Sequence, residues 1–303
     1  MEGQQKPIKL LKTSKMILPS IDEMRISVLI EDSTNLSKPE LITKHGLSFY
    51  LETKAIGVSS NILIDAGPAP DISLRNAINM NLDLKKVDSI FLTHGHYDHS
   101  GAILKILEHI NRPVPVVAHP EIFNPKIAYK PKLTSIGLTC DSSDIRSNGG
   151  ILFLARNSFK ITKGIITTGE IQRTTDFENV IGLWTIKNDL LIEDIMLDEQ
   201  SLLMNIKNKG LIIVIGCGHP GIINIIRHAK KITGIKKIHS IIGGMHLVNY
   251  DIRKIKVIVK ELSKIDFNAI YPCHCTGTKA INQLLTSFGE RCMPIQTGSI
   301  LKF

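Results

Sequence analysis

One short segment of the chain carries three histidines and an aspartate within six positions. His94, His96 and His99 offer imidazole nitrogens, and Asp98 offers a carboxylate. Two histidines one residue apart can converge on a single ion from an extended segment, while Asp98 and His99 can face a second ion. Imidazole together with carboxylate suits Zn²⁺ first, with Fe or Mn as alternatives, rather than Ca²⁺ or Mg²⁺. The segment therefore predicts a site for one or two divalent metal ions.

Two glycine-flanked loops further along the chain can supply the remaining ligands. His219 lies within residues 216–221, and His274 lies within residues 271–277. Each loop follows a short apolar run and precedes a helical pattern, and a satisfied core histidine seldom occupies such a loop. Both residues are therefore predicted as metal ligands. His246, which follows a Gly-Gly-Met sequence, either contacts substrate or neighbours the metal, or it packs as an ordinary side chain.

The elements that must position these residues alternate between strands and helices. Residues 87–93 form a predicted apolar strand that ends at His94, and apolar residues at helical spacing follow over residues 100–110. Proteins of the α/β class usually place their chemistry at the carboxyl ends of strands. Further strands are predicted over residues 25–31, 46–52, 58–65, 164–168, 183–186, 211–216, 240–244 and 269–271. Further helices are predicted over residues 71–80 and 276–288, after Pro220, and after Asp251 as N-cap.

Composition restricts the class of protein. Of the 303 residues, 43% are apolar and 5% are aromatic. This apolar content supports a sizeable core and excludes wholesale disorder, whereas the low aromatic content argues against a stacking platform for single-stranded nucleic acid. No apolar stretch approaches the roughly 18–20 residues that span a bilayer, so no membrane association is expected. An odd number of cysteines and the lack of a signal-peptide pattern predict reduced thiols and a cytoplasmic location.

We expect residues 1–22 to form an N-terminal extension, either loose or packed on the body, and residues 23–303 to form one domain. Residues 111–160 are rich in Pro, Lys and Gly and show poor periodicity. Such a stretch predicts either a functional loop or lid, or a solvated surface insertion. Lys130 and Lys132 lie within it, and they either bind an anion or are ordinary surface lysines.

The motif HGHYDH resembles the HxHxDH metal signature of the metallo-β-lactamase fold superfamily. Residues 61–67 are similar to an earlier strand of that superfamily, which ends in an aspartate, and residues 271–274 are similar to its final ligand motif. The resemblance runs from about Met24 to the end of the chain. It implies an α/β fold, called α+β in some schemes, with a four-layer αββα sandwich. It also implies that Asp65 orients the loop of residues 94–99, the metal loop, through hydrogen bonds.

The same resemblance divides the predicted ligands between two metal positions. The first position comprises His94, His96 and His219, and the second comprises Asp98, His99 and His274. Many members of the superfamily place an aspartate between the two metals, where this chain has Cys217. Cys217 is then either a thiolate ligand or a small buried residue, and Glu170 is the other acidic candidate.

Five further segments resemble a narrower, dihydropteroate-synthase-like branch of the superfamily: residues 44–48, 168–171, 216–219, 243–247 and 274–277. The branch includes a synthase of methanopterin biosynthesis. The resemblance thus implies the condensation of a dihydropterin pyrophosphate with a ribofuranosyl-aminobenzene phosphate. In this interpretation Asp98 and His246 are catalytic, and His45 contacts substrate together with His246, Lys130 and Lys132.

The net charge of +9 favours an anionic partner without choosing among nucleic acid, membrane and phosphorylated small molecules. A metal-dependent hydrolase of the same fold, either a phosphodiesterase or a nuclease, is the alternative function. A nuclease would be expected to carry a basic arm or an added domain, and neither is evident. A non-catalytic metal-binding or redox module is a third possibility. The preferred prediction is a metal-dependent enzyme that acts on a phosphorylated or pyrophosphorylated small molecule; the sequence predicts no oligomeric state.

Overall fold

The computed structural model describes residues 18–129 and 132–303, and it contains two large sheets that pack face to face. In spatial order, the N-terminal sheet consists of Ile300–Lys302, Glu23–Ile30, Ser48–Ala55, Val58–Ile64, Ser89–Phe91, Val114–Ala118 and Gly150–Leu154. The C-terminal sheet consists of Lys160–Thr162, Ile165–Thr167, Leu202–Ile206, Gly210–Ile215, Ile238–Gly243 and Phe267–Pro272, with Ser20–Ile21 paired to Leu202–Ile206. A small side sheet consists of Leu190–Glu193, Leu183–Lys187, Ile127–Ala128 and Thr134–Ser135.

Helices cover the outer faces of both large sheets, which confirms the predicted αββα order of layers. Those packed on the N-terminal sheet include Pro70–Asn79, Ile103–Ile110 and Ser142–Ser147. Those packed on the C-terminal sheet include Ile222–Thr233, Ile252–Leu262 and Thr278–Phe288. The remaining helical segments are short: Leu84–Lys86, Tyr97–Ser100, Pro120–Phe123, His274–Thr276 and Gly289–Arg291. Asp251 caps the helix that follows it, as predicted, by accepting a hydrogen bond from the Lys254 backbone N–H at 2.9 Å.

The strand Gly210–Ile215 shows why the core strands are continuously apolar. Successive side chains of a strand point to opposite faces. Ile213 and Ile215 therefore pack under the helices, whereas Ile212 and Val214 pack between the two sheets. A strand that is covered on both faces has no side chain in water, so its sequence shows no alternation of apolar and polar residues.

Parallel pairing directs several strand ends to one edge of the sandwich. Val58–Ile64 pairs in parallel with Ser89–Phe91 in one sheet. In the other sheet, Ile238–Gly243 pairs in parallel with both Gly210–Ile215 and Phe267–Pro272. The carboxyl ends of parallel strands lie at the same edge, and the loops that carry the predicted ligands all begin there.

The stretch between residues 111 and 160 is more regular than its sequence indicates. Val114–Ala118 and Gly150–Leu154 pair in parallel within the N-terminal sheet, and Ser142–Ser147 is a helix. Pro115 makes the first of these strands difficult to predict, because proline is uncommon inside sheets. The start of the helix could have been predicted, since Asp141 and Asp144 form a capping box. The prediction of an irregular stretch is therefore wrong for these three elements.

The two ends of the described chain lie against the sandwich. Ser20 and Ile21 pair with Asn205 and Ile206, and the Ile21 side chain is fully buried. The last part of the predicted N-terminal extension is thus packed on the body, while residues 1–17 lie outside the described residues.

In the part of the chain that the structure describes, no helix combines the length and apolarity required to cross a membrane.

The Ile213→Ala variant tests the role of the doubly covered strand. Ile213 is completely buried, so we expect the substitution to lower the free energy of unfolding by about 2–5 kcal/mol through lost burial and a residual cavity. The matched control is Ile78→Ala, at a helical position that is 70% exposed, which should change it by at most about 0.5 kcal/mol. Urea unfolding followed by circular dichroism measures both, and equal losses would contradict the assignment.

Candidate metal centre

The six predicted ligands and Cys217 converge at this edge of the sandwich, each at most 6% exposed. They include two groups, within each of which the potential ligand atoms lie within 4.8 Å of one another, and Cys217 also lies within that distance of His219 and His246. The first group comprises His94, His96 and His219, and the second comprises Asp98, His99, Cys217 and His274. The structure therefore brings together side chains from three distant stretches of the chain, in the same division that the resemblance implied.

The first group consists of neutral nitrogen donors. Burial lowers the pKa of His94, His96 and His219 well below the ordinary value, and the neighbouring imidazoles lower it further. His94 Nε2 lies 3.1 Å from His96 Nδ1. Two nitrogens bound to one tetrahedral Zn²⁺ at 2.0–2.1 Å would be about 3.3 Å apart, so this spacing fits a shared ion.

The Nε2 atom of His219 gives an independent test of whether a metal ion fits the first group. It is buried and has no hydrogen-bond partner among the described residues. Leaving a buried polar atom without a partner costs about 1–3 kcal/mol. A cation bound between the three histidines would provide the missing partner, so the residues present fit a divalent metal ion.

The second group adds a carboxylate and a thiol. His274 Nε2 lies 3.4 Å from Asp98 Oδ2 and 3.3 Å from His99 Nε2, and Cys217 Sγ lies 3.1 Å from His99 Nε2. Burial raises the pKa of Asp98, but the imidazoles of His99 and His274 lower it more, so the net shift is strongly downward. Asp98 is therefore an ionised oxygen donor at neutral pH.

Three carboxylates, the buried Asp65 and Glu199 and the more exposed Asp32, each hold the Nδ1 atom of one histidine. Asp65 Oδ2 lies 2.6 Å from His99 Nδ1, and Asp32 Oδ1 lies 2.8 Å from His274 Nδ1. Glu199 contacts the Nδ1 atom of His219 in the same way. A carboxylate that occupies Nδ1 fixes the ring and its tautomer, which leaves Nε2 free to face the centre.

Asp65 lies where the resemblance implied. Its carboxylate accepts hydrogen bonds from the Thr93 backbone N–H at 2.7 Å and from the Thr93 hydroxyl at 2.8 Å, besides its contact with His99. Complete burial raises the pKa of Asp65, and these hydrogen bonds act in the opposite direction. The residue thereby ties the start of the metal loop to its last histidine.

Sequence reasoning missed Asp32 and Glu199. Asp32 accepts from both His274 and His45, which lowers its pKa despite the opposing effect of burial. Glu199 accepts the backbone N–H groups of residues 217, 218 and 219, so it shapes the whole loop. Asp32 could have been found from the sequence because, like Asp65, it is an acidic residue just past the end of an apolar strand.

A buried lysine connects the side sheet to the metal loop, and no sequence pattern predicted its role. Lys126 Nζ lies 2.6 Å from Asp198 and 2.9 Å from Asp194, and Lys126 is only 2% exposed. Asp198 in turn accepts the backbone N–H of Gly95 at 2.8 Å. The loop between His94 and His96 is thus held by an almost completely buried ion pair.

Three residues at the centre hold left-handed backbone conformations. Asp65, His246 and His274 have φ values of 57°, 49° and 49°. Each costs about 1–2 kcal/mol relative to an ordinary conformation, because the Cβ atom approaches the carbonyl oxygen. Such strain persists only where the surrounding contacts determine it, and it clusters at functional sites.

His45 and His246 flank the two groups. His45 Nδ1 lies 2.9 Å from Asp32 and its Nε2 lies 3.5 Å from Asp98, with 60% of the side chain exposed. The hydrogen bond to Asp32 raises the pKa of His45. The ring of His246 lies 4.1 Å from that of His219, and its Nδ1 atom is buried without a partner among the described residues.

The other predicted residues lie apart from the two groups. Glu170 pairs with Arg156 at 2.7 Å and with His119 at 3.0 Å. It belongs to neither ligand group, so the suggestion that it is a metal ligand is corrected here. Both contacts are made by Oε1 of Glu170, so the side chain has partners of its own outside the two groups. Lys132 is exposed, and Lys130 lies outside the described residues.

Comparison with known proteins decides the family. Residues 45–181 match the description "Metallo-beta-lactamase superfamily". The 7,8-dihydropterin-6-methyl-4-(beta-D-ribofuranosyl)-aminobenzene-5'-phosphate synthase of Methanocaldococcus jannaschii is 35% identical over 95% of this chain and 99% of its own. The chain belongs to the metallo-β-lactamase superfamily. This relationship confirms the predicted fold, the predicted branch and the prediction that the protein is an enzyme of a metal-dependent superfamily.

Solved structures of this superfamily share the fold. Tm1679, described as a metal-dependent hydrolase of the beta-lactamase superfamily, is 25% identical with a TM-score of 0.76, covering 92% of this chain and 98% of its own. Zn²⁺-bound PqqB from Methylobacterium extorquens is 12% identical with a TM-score of 0.53, covering 91% and 99%. The second likeness shows the fold alone.

The Lys126→Met variant tests the buried ion pair. Removing the ammonium leaves Asp194 and Asp198 as neighbouring buried carboxylates, so we expect the free energy of unfolding to fall by about 3–5 kcal/mol. The control is Lys105→Met, since Lys105 forms an exposed pair with Glu108 that contributes at most about 1 kcal/mol. Chemical denaturation monitors both, and a Lys126→Met protein as stable as the control would refute the role.

Proposed function

We propose that this protein is a metal-dependent synthase that joins a dihydropterin pyrophosphate to a ribofuranosyl-aminobenzene phosphate. The observation that carries the proposal is the 35% identity to the named synthase over nearly the full length of both chains, combined with a complete set of buried donors. The excess of basic residues suits two phosphorylated substrates. We also propose a cytoplasmic location and do not favour a nucleic-acid substrate.

The proposed ligands are those of the two groups: His94, His96 and His219 for one ion, and Asp98, His99 and His274 for the other. Zinc is the proposed metal because imidazole nitrogens dominate the donor set, with manganese or iron as alternatives. When bound, the divalent ions supply Lewis acidity toward the phosphoryl oxygens of the leaving pyrophosphate.

The protein's own residues then have to manage one proton. In the condensation, a C–N bond forms to the pterin methylene carbon, the C–O bond to pyrophosphate breaks, and the arylamine nitrogen loses a proton. The Nδ1 atom of His246 is buried and has no partner among the described residues, so it is our proposed acceptor. His45, which is exposed beside Asp98, is proposed to bind an anionic group of the substrate.

A hydrolase is the second candidate, because Tm1679 is 25% identical with a TM-score of 0.76 and is described as a metal-dependent hydrolase. In that case water, rather than an arylamine, would attack a phosphoester. The two candidates differ in whether the second substrate is required. Nucleic-acid hydrolysis would further be recognised by an affinity that falls steeply with salt concentration.

A coupled assay separates the candidates. The metal-loaded protein is incubated with the pterin pyrophosphate, with and without the arylamine, and in parallel with phosphodiesters. We expect pyrophosphate release to require the arylamine and to match the condensed product mole for mole by mass spectrometry. Pyrophosphate release without arylamine, or turnover of phosphodiesters alone, would overturn the synthase in favour of the hydrolase.

The His96→Ala variant tests the dependence on the first group. Loss of an outer partner of a metal ligand already costs about 10–100-fold, so removing a ligand itself should lower turnover by more than about 100-fold. Metal analysis should show the loss of one bound ion, while circular dichroism should be unchanged. The matched control is His109→Ala, at a helix end away from both groups, which should retain metal and activity. An active His96→Ala protein that lacks metal would show the mechanism to be wrong.

A further inference from the structure

The side sheet presents an apolar face to solvent. Residues directly opposite each other in antiparallel strands lie on the same face of a sheet. Two such pairs, Ile186 with Leu191 and Trp184 with Ile127, share one face of the side sheet. Ile186 and Leu191 are 41% and 54% exposed, and Trp184 and Ile127 are half-buried. A sheet face in contact with water is normally polar, so an apolar face at this position is a surface that a partner can cover.

The opposite face of the side sheet packs on the sandwich. Thr185 is 2% exposed, and Lys187 Nζ lies 2.6 Å from Glu121 Oε2. These two residues of the strand alternate with Trp184 and Ile186, and alternate side chains of a strand point to opposite faces. The apolar face is therefore directed away from the body of the protein.

The outer edge of the side sheet is apolar as well. The edge strand Leu190–Glu193 is exposed at every position, and three of its four residues are Leu190, Leu191 and Ile192. An edge strand offers unpaired backbone groups to another chain, and soluble proteins usually protect such edges with lysine, proline or a bulge. This edge strand contains no lysine or proline. The apolar face and the unprotected edge together indicate that another polypeptide covers the side sheet.

Size and charge favour a second copy of this chain as that polypeptide. A standard stable interface takes about 20–30 residues from each partner, and the two segments that form the side sheet, residues 127–135 and 181–195, amount to about that number. These segments contain three lysines and three acidic residues. Two copies can therefore approach each other here without the repulsion that a net charge of +9 would otherwise cause. Nucleic acid or an anionic bilayer would instead require an excess of positive charge.

We propose that two copies of this chain associate through the apolar faces of their side sheets, around a two-fold axis. In such a dimer the same patch supplies both sides of the interface, which an apolar surface can do because it is complementary to itself. Trp184 lies on this face, and tryptophan is among the residue types that contribute most to binding energy at interfaces. The association does not depend on the proposed reaction.

Sedimentation equilibrium of the metal-loaded full-length protein tests the proposal. We expect twice the mass of the chain at micromolar concentrations. Ile186→Glu and Leu191→Glu should each weaken association by at least about 100-fold, because a two-fold interface places both introduced carboxylates in one desolvated contact. The matched control is Ile78→Glu, at a helical position of the sandwich that is 70% exposed, and this variant should remain a dimer.

The fluorescence of Trp184 provides a second measurement, which uses the natural protein and does not depend on how the variants fold. The chain has a single tryptophan, so its emission reports on the proposed interface alone. We expect the emission to move to longer wavelength on dilution, with the same midpoint as the fall in mass.

Three outcomes would overturn the proposal. The first is a natural protein that is monomeric at every concentration. The second is a dimer that persists unchanged in both Ile186→Glu and Leu191→Glu, which would place the interface elsewhere. The third is a monomer that binds vesicles of phosphatidylcholine and phosphatidylglycerol through this face, which would assign the face to a membrane. Each of these outcomes leaves the proposed reaction standing, since none of them involves turnover.

Discussion

Pairing between carboxylates and buried imidazoles is the interaction on which the centre depends. Asp65, Asp32 and Glu199 each occupy the Nδ1 atom of a different histidine, and the free Nε2 atoms are thereby aimed at a common region. An imidazole on a flexible loop would be free to rotate. Because these rings are buried and their outer nitrogens are occupied, orientation is set before any ion arrives.

The sandwich provides the rigidity that this arrangement needs. The histidines, Asp32 and Asp65 follow strands whose other residues are packed in three apolar layers, so a strand cannot slide without exposing its core side chains. The left-handed conformations of Asp65, His246 and His274 add a local cost that the packed strands withstand. The packed core therefore holds the donor atoms at fixed positions.

The sequence was informative where chemistry is dense and local, and it was silent where contacts are long-range. The HxHxDH segment and the glycine-flanked histidines could be recognised because donor types and turn residues occur within a few positions. Lys126 could not, because its partners Asp194 and Asp198 lie about seventy positions away. Glu199 was missed for the same reason, and Val114–Ala118 was missed because a proline interrupts its apolar pattern.

The contact between the two ends of the domain has a consequence for biosynthesis. Glu31 accepts the backbone N–H of His274, and it exchanges two backbone hydrogen bonds of 2.9 Å with the hydroxyl of Thr297, just before the last strand, Ile300–Lys302. A ribosome builds the chain from its N-terminus, so the HxHxDH loop emerges long before the segment that locks His274 in place. The centre can therefore take its final form only after translation has passed Thr297, and an incomplete nascent chain presents its histidines without the geometry that would retain an ion.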